Sequence, residues 1–167
     1  LTNALKDFGV KKGDVVATVL PNSVEYYIAY LACAQAGFYM VPINWHLAGP
    51  EIAYILEDSG AKAFIASGAV PAMEEACQKA VSAINFLPEG CISTTKMEGF
   101  VFLDDFVSPH STSNPKERTA GQVMNYTSGT TGKPKGVKRA LVEGDPDDIL
   151  SMFAMILSFF DIQPKDN

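Results

Sequence analysis

The residues best equipped for chemistry are gathered in one stretch, 126–137, which reads Tyr-Thr-Ser-Gly-Thr-Thr-Gly-Lys-Pro-Lys-Gly-Val. It holds four small hydroxyls (Thr127, Ser128, Thr130, Thr131), three glycines (Gly129, Gly132, Gly136) and two lysines (Lys133, Lys135), with almost nothing apolar between them. Glycines admit positive φ and let amide N–H groups converge on an anion-sized hollow. Hydroxyls add donors at the rim, and lysines bring full positive charge on flexible stems. A polyphosphate would satisfy all of these groups at once. The competing reading, a solvated turn, accounts for the glycines and hydroxyls but not for two lysines interleaved with them.

The spacing excludes a Walker A loop, which requires Gly, four residues, then Gly-Lys-Ser/Thr. Here two residues separate Gly129 from Gly132, and Pro134 follows Lys133. Proline disfavours the helical conformation in the residue before it, so no helix is expected to start at Lys133.

Other reactive side chains are scattered. His46 and His110 are the only histidines, and neither stands in a nucleophile motif, so both are read as surface or loop residues. Trp45 reads as a half-buried packing residue. Glu25, Glu51, Asp58, Asp104 and Asp105 form no assignable acid/base pair, no metal-ligand cluster is legible, and the sequon at residues 125–127 carries no weight in a cytoplasmic strand. The three cysteines, Cys33, Cys77 and Cys91, show no CxxC spacing. That pattern indicates neither a disulfide framework nor a zinc site and suits a reducing cytoplasm.

A hydrophobic content of 47% and a charged content of 19% describe a globular chain with a packed core. The formal charge of −6 speaks against general nucleic-acid binding, which needs a basic face. No apolar run reaches the length of a membrane span, and the start lacks a signal peptide's pattern. The chain opens without methionine and its last residues read as a connector, so a piece of a longer protein is expected.

The elements that must hold the glycine-rich stretch alternate between strand and helix. Residues 1–8 read as the end of a helix closed by Gly9. Residues 15–20 form an apolar, β-branched run suited to a strand buried on both faces. Asn22, with Glu25 in capping-box spacing, opens a helix whose stripe is Val24, Tyr27, Ile28, Leu31 and Ala34, ended by Gly37. Residues 38–43 make a second strand with Pro42 near its end or on an edge. Pro50 starts a helix buried through Ile52, Ile55 and Leu56, and residues 62–67 make a third strand. Pro71 opens another helix with Met73, Ala76, Cys77, Ala80 and Ile84 on one face. Residues 87–98 have no legible period, 99–103 read as a strand, and 108–120 as an exposed polar connector. Residues 122–126 re-enter the sheet and deliver the glycine-rich stretch directly, as ligand loops follow strands in open α/β sheets. Residues 137–141 read as a further extended segment, and Asp145 as the N-cap of a helix with Pro146 at its first position. Residues 149–160 are apolar nearly all round and need partners on most sides. The fold class expected is layered α/β with a largely parallel sheet.

Residues 126–137 resemble the phosphate-loop signature of the adenylate-forming superfamily, which includes acyl-CoA synthetases, the adenylation domains of nonribosomal peptide synthetases and firefly luciferase. Lys12-Gly13-Asp14-Val15-Val16, Leu20-Pro21-Asn22-Ser23, Ala36-Gly37-Phe38 and the runs 42–47 and 51–62 resemble the early region of acyl-CoA synthetases in order and spacing. The likeness covers nearly the whole chain. After Gly136-Val137, where many members carry a histidine a few residues on, this chain has Lys138-Arg139-Ala140.

The resemblance implies an incomplete N-terminal AMP-binding (adenylation) domain over residues 1–167. It implies a ligase that activates a carboxylic acid, in the first instance a fatty acid, with ATP to an acyl-adenylate and passes the acyl group to coenzyme A. It further implies that Thr127, Ser128, Gly129, Thr130, Thr131, Gly132 and Lys133 bind the nucleotide phosphates, and that Lys135 is the catalytic cation. Mg²⁺ and coenzyme A would be contacted mainly by parts outside this chain, and the chain alone is expected to be inactive. Two alternatives stay open: an adenylating enzyme delivering to a carrier protein, and a non-catalytic nucleotide-binding module.

Overall fold

The computed structural model describes residues 1–127, 133–149, 151 and 155. Six strands form one parallel sheet: β1 (Val15–Val19), β2 (Tyr39–Pro42), β3 (Ala61–Ala66), β4 (Cys91–Ser93), β5 (Val101–Phe102) and β6 (Gln122–Val123), in the spatial order β5-β4-β3-β1-β2-β6. β1 lies at the centre between β2 and β3, and all five of its residues are buried. That position explains its unbroken apolar sequence, because a central parallel strand shows neither face to water.

The pleat sends successive side chains to opposite faces, so the strands feed two cores. Val15, Ala17, Val19, Val41, Phe64 and Ala66 pack against α3 (Gly49–Ser59) and α4 (Pro71–Ala83). Val16, Met40, Ala63, Ile65 and Ile92 pack against α1 (Thr2–Phe8), α2 (Val24–Ala34) and α5 (Leu103–Val107). Helices on both faces of a parallel sheet give the layered α/β architecture that the sequence pattern called for.

Several elements fall where the sequence places them. Gly9 and Gly60 end α1 and α3 in the left-handed conformation, at φ 113° and 65°. Pro50 and Pro71 sit in the first turns of α3 and α4, and Glu51 accepts the Ala48 N–H at 2.8 Å across the start of α3. Met73, Cys77 and Ala80 are buried, with Ala76 and Ile84 partly so. Pro42 is the last residue of β2, where its missing N–H breaks no further pairing.

α2 is the clearest departure. The stripe Val24, Tyr27, Ile28 and Leu31 faces solvent, with exposures of 71%, 65%, 42% and 52%. The buried face is instead Ala29, Ala32 and Cys33. Small side chains let the helix lie close on β1 and β2, and helical spacing alone cannot tell a small-residue face from a large one. The N-cap is Ser23, one residue later than Asn22, and no side-chain cap bond forms there.

Three further corrections concern strands. Residues 87–98 contain a 3₁₀ turn (Pro88–Gly90) and the buried strand β4, too short to show a period. The strand expected over 99–103 shrinks to β5, and α5 begins at Leu103. The strand expected over 122–126 breaks at Met124 into β6, paired with β2, and β7 (Asn125–Thr127), which pairs antiparallel with β8 (Lys135–Val137) in a separate two-stranded sheet. The extended segment expected over 137–141 therefore starts earlier and takes in Lys135.

Residues 108–120 run over the surface and are tied to α1: Asn3 Nδ2 donates to the Ser111 and Ser113 carbonyls at 2.7 and 2.9 Å, and His110 Nδ1 lies 2.7 Å from Asp7. Pro115 is buried there, as is Ala120 at the end of the run. Farther on, Asp145 Oδ1 accepts the Asp147 N–H at 2.8 Å and residues 146–149 are helical. Arg118 holds that turn by two bonds of 2.7 Å to Asp147. Most of the apolar stretch 149–160 lies outside the described residues.

Candidate functional site

The glycine-rich stretch is carried by the β7–β8 hairpin, whose register pairs Asn125 with Val137, Tyr126 with Gly136 and Thr127 with Lys135. Thr127 and Lys135 thus stand opposite each other at the last pair before the loop, and both are exposed. Ser128, Gly129, Thr130, Thr131 and Gly132, the backbone and hydroxyl donors expected to cradle phosphates, lie outside the described residues. Lys133 and Pro134 follow them on the way into β8.

Gly136 serves packing and not an anion hollow. Its φ is not positive, and a Cβ there would sit 2.3 Å from Met124 Cε and 3.0 Å from the Tyr126 ring. The bare backbone lets the Tyr126 ring and Met124 close over the hairpin. The sequence signalled a glycine at that position without revealing this use.

A single helix end supports both stems of the hairpin. Tyr126 Oη donates to Asp58 Oδ2 at 2.7 Å, and Tyr54 Oη donates to the Pro134 carbonyl at 3.1 Å. Tyr54 and Asp58 are one helical turn apart near the end of α3, with Tyr54 Oη 3.4 Å from Asp58 Oδ1. Burial first, then the bond to Asp58 and its negative charge, push the Tyr126 phenol up from its ordinary value. Burial and the Asp58 charge push Tyr54 the same way. Both hydroxyls therefore stay protonated as donors. The sequence carries no local signal for either contact, because the partners of Tyr54 and Asp58 lie 80 and 68 positions away.

Cations collect on this hairpin although the chain as a whole is acidic. Lys133 Nζ lies 5.2 Å from the centroid of the Tyr54 ring, a cation–π contact. Lys138 Nζ lies 4.4 Å from the Tyr39 ring centroid and donates to the Gly13 carbonyl at 3.2 Å. Among the described residues no carboxylate or carbonyl engages the Lys135 ammonium. Among the described residues Lys135 is thus an uncommitted cation next to the loop, held by a paired backbone and free to meet an anion. Beside the hairpin opens a cleft of about 540 Å³ whose lining includes Tyr30, Gln122, Asn125, Thr127, Val137 and Arg139. Thr127 connects this space to the loop.

The remaining candidates stay apart from the hairpin. His46 is exposed and its ring lies 3.6 Å from that of Trp45, which is half-buried against the core. The three cysteines are free and buried. Among the described residues no group of three histidine, cysteine or acidic side chains could hold a metal ion, and no helix is long and apolar enough to cross a membrane.

The family model described as AMP-binding enzyme matches residues 1–140, which takes in the whole sheet and the hairpin. The chain belongs to the AMP-binding enzyme family. Within this adenylate-forming family, it is 35% identical over 138 residues to the long-chain-fatty-acid–CoA ligase FadD13 of Mycobacterium tuberculosis, covering 81% of this chain and 26% of that protein. It is also 35% identical over 138 residues to the fatty acid–[acyl-carrier-protein] ligase ScoC of Streptomyces coeruleorubidus, covering 82% of this chain and 25% of that protein. Among solved structures, the anthranilate CoA ligase AuaEII, in complex with anthranoyl-AMP, superposes with a TM-score of 0.63 at 27% identity, over 92% of this chain and 29% of that one. The chain spans about a quarter of the length of the curated relatives it matches.

Proposed function

We propose that this chain is the phosphate-gripping N-terminal portion of an AMP-forming acyl-CoA synthetase acting on a carboxylic acid, a fatty acid in the first instance. The observation that carries the reading is Lys135: an unengaged ammonium fixed on a short strand, directly after a segment of glycines and small hydroxyls. In the first step a carboxylate oxygen attacks the α-phosphorus of ATP, the bond from that phosphorus to the bridging oxygen breaks, and pyrophosphate leaves. In the second, the thiol of coenzyme A attacks the acyl carbonyl, gives up its proton and releases AMP.

Charge accumulates on the departing pyrophosphate, so a positioned cation accelerates the first step without forming a covalent bond. We assign that role to Lys135. Phosphate binding goes to Thr127, Ser128, Gly129, Thr130, Thr131 and Gly132, with Lys133 as a second cation. Mg²⁺ would add further neutralisation of the phosphates, and we assign its contacts and those of coenzyme A mainly to parts outside this chain. Free, buried thiols suit a cytoplasmic setting.

A second reading, delivery of the acyl group to a carrier protein, is favoured by the match to an acyl-carrier-protein ligase at the same identity as to a CoA ligase. Acid-dependent ATP–pyrophosphate exchange by the complete protein, scanned across fatty and aromatic acids, tests the adenylation step. Supplying coenzyme A or a carrier protein then separates the two acceptors. Absence of exchange with every acid would leave a nucleotide-binding module. Residues 1–167 alone are expected to show no exchange.

A further inference from the structure

We propose that Tyr54, Asp58 and Tyr126 form a clamp that fixes the separation of the two stems of the glycine-rich loop and so positions Lys133 and Lys135 toward the nucleotide phosphates. Tyr126 lies on β7, two residues before the segment 128–132, and Pro134 lies two residues after it. One helix end reaches both: Asp58 accepts from Tyr126 at 2.7 Å, and Tyr54 donates to the Pro134 carbonyl at 3.1 Å. Tyr54 also offers its ring face to Lys133 at 5.2 Å. A phenol has one proton, so Tyr54 Oη can bond either Pro134 or the more distant Asp58 Oδ1, at 3.4 Å, but not both at once. Engaging Pro134 secures the outgoing stem, while turning to Asp58 releases it.

A hairpin with three residues in each strand has few ladder bonds of its own. A two-stranded ribbon of that size is marginal in water, so its register and the aim of Lys135 depend on outside support. The core offers that support to Tyr126 from beneath and α3 offers it from the side. These three side chains are positioning residues, since none of them is placed on the phosphates themselves.

The kinetic consequence rests on the adenylating function proposed above, whereas the mechanical one does not. In the complete protein, Tyr126→Phe and Asp58→Ala are expected to lower the exchange kcat on the order of tenfold each, the scale of a lost hydrogen bond to a charged group. The KM for the carboxylic acid should stay unchanged. Because both substitutions remove one shared bond, the double variant should be no slower than the slower single one. Tyr54→Phe, which keeps the ring under Lys133, should raise the KM for ATP.

The second measurement needs no activity. Trypsin cleavage after Lys135, compared with cleavage after Lys79 in α4, reads the opening of β8 directly. Tyr126→Phe and Asp58→Ala should speed the first several-fold and leave the second alone. Singles whose effects multiply in the double variant, or unchanged cleavage after Lys135, would overturn the clamp. If the wild type shows no exchange with any acid, the functional reading fails, and the cleavage rates still decide the clamp.

Discussion

Replacing Gly121 by alanine should loosen the attachment of the hairpin to the main sheet. Gly121 directly precedes β6, and an added Cβ would lie 2.1 Å from the Cys33 carbonyl oxygen and 2.5 Å from that of Phe38. Both are backbone atoms, and neither can swing aside as a side chain would. The strand must retreat by about 1 Å to restore contact distances. The Gly121 N–H bond to the Ala34 carbonyl, now 2.8 Å, would then exceed hydrogen-bond range, and the Gln122 N–H bond to Phe38, now 3.1 Å, would stretch with it. At about 1 kcal/mol each, with some loss of packing, the cost is roughly 2–3 kcal/mol. For a domain of this size that corresponds to a fall in Tm of about 5–10 °C. Gly60→Ala is the control: its φ is 65° but nothing lies within 4 Å of the added methyl, so it should cost only about 1 kcal/mol. Denaturant and thermal unfolding followed by far-UV circular dichroism measure both, and hydrogen exchange at the Met124 amide, bonded to Met40 at 2.9 Å, localises the change. If Gly121→Ala were as stable as Gly60→Ala, the close approach of β6 to the end of α2 would be wrong.

Three other outcomes follow from particular residues. Lys135→Ala in the complete protein should cut ATP–pyrophosphate exchange by about 10²–10³ in kcat, the scale of losing one preorganised charge-stabilising group, with little change in carboxylate KM; unaltered exchange would remove Lys135 from the mechanism. In the 167-residue chain, Leu31→Ser should change stability by less than about 0.5 kcal/mol and Cys33→Asp should lose more than about 3 kcal/mol, and equal effects would mean that the large apolar stripe of α2 is its buried face after all. Burial pushes the thiols of Cys33, Cys77 and Cys91 up to about 12. The folded state therefore retains protons that the unfolded chain gives up near its ordinary thiol pKa of about 8.5. Their contribution is fully present below that pH and declines as pH rises toward 12. Denaturant unfolding at neutral and alkaline pH should show the decline, along with thiol labelling that requires unfolding, and a flat profile with rapid labelling would refute it.

The sequence by itself determined the alternation of strands and helices, because the signals are local. A run such as 15–19 buried on both faces, the glycines that close α1 and α3, and the prolines in the first turns of α3 and α4 each act through their own backbone. It also set glycines, hydroxyls and lysines side by side in residues 126–137, the local pattern from which a phosphate-handling loop is proposed. Only the tertiary structure decided which face of α2 is buried, because Val24, Tyr27, Ile28 and Leu31 repeat at helical spacing just as Ala29, Ala32 and Cys33 do. The difference lies in how closely the sheet approaches the helix. Tertiary structure also broke residues 122–126 at Met124 and turned the chemical stretch into a hairpin separate from the parallel sheet. Its braces, Tyr54 and Asp58, act across 80 and 68 positions of chain, and no local pattern encodes a contact that only folding creates.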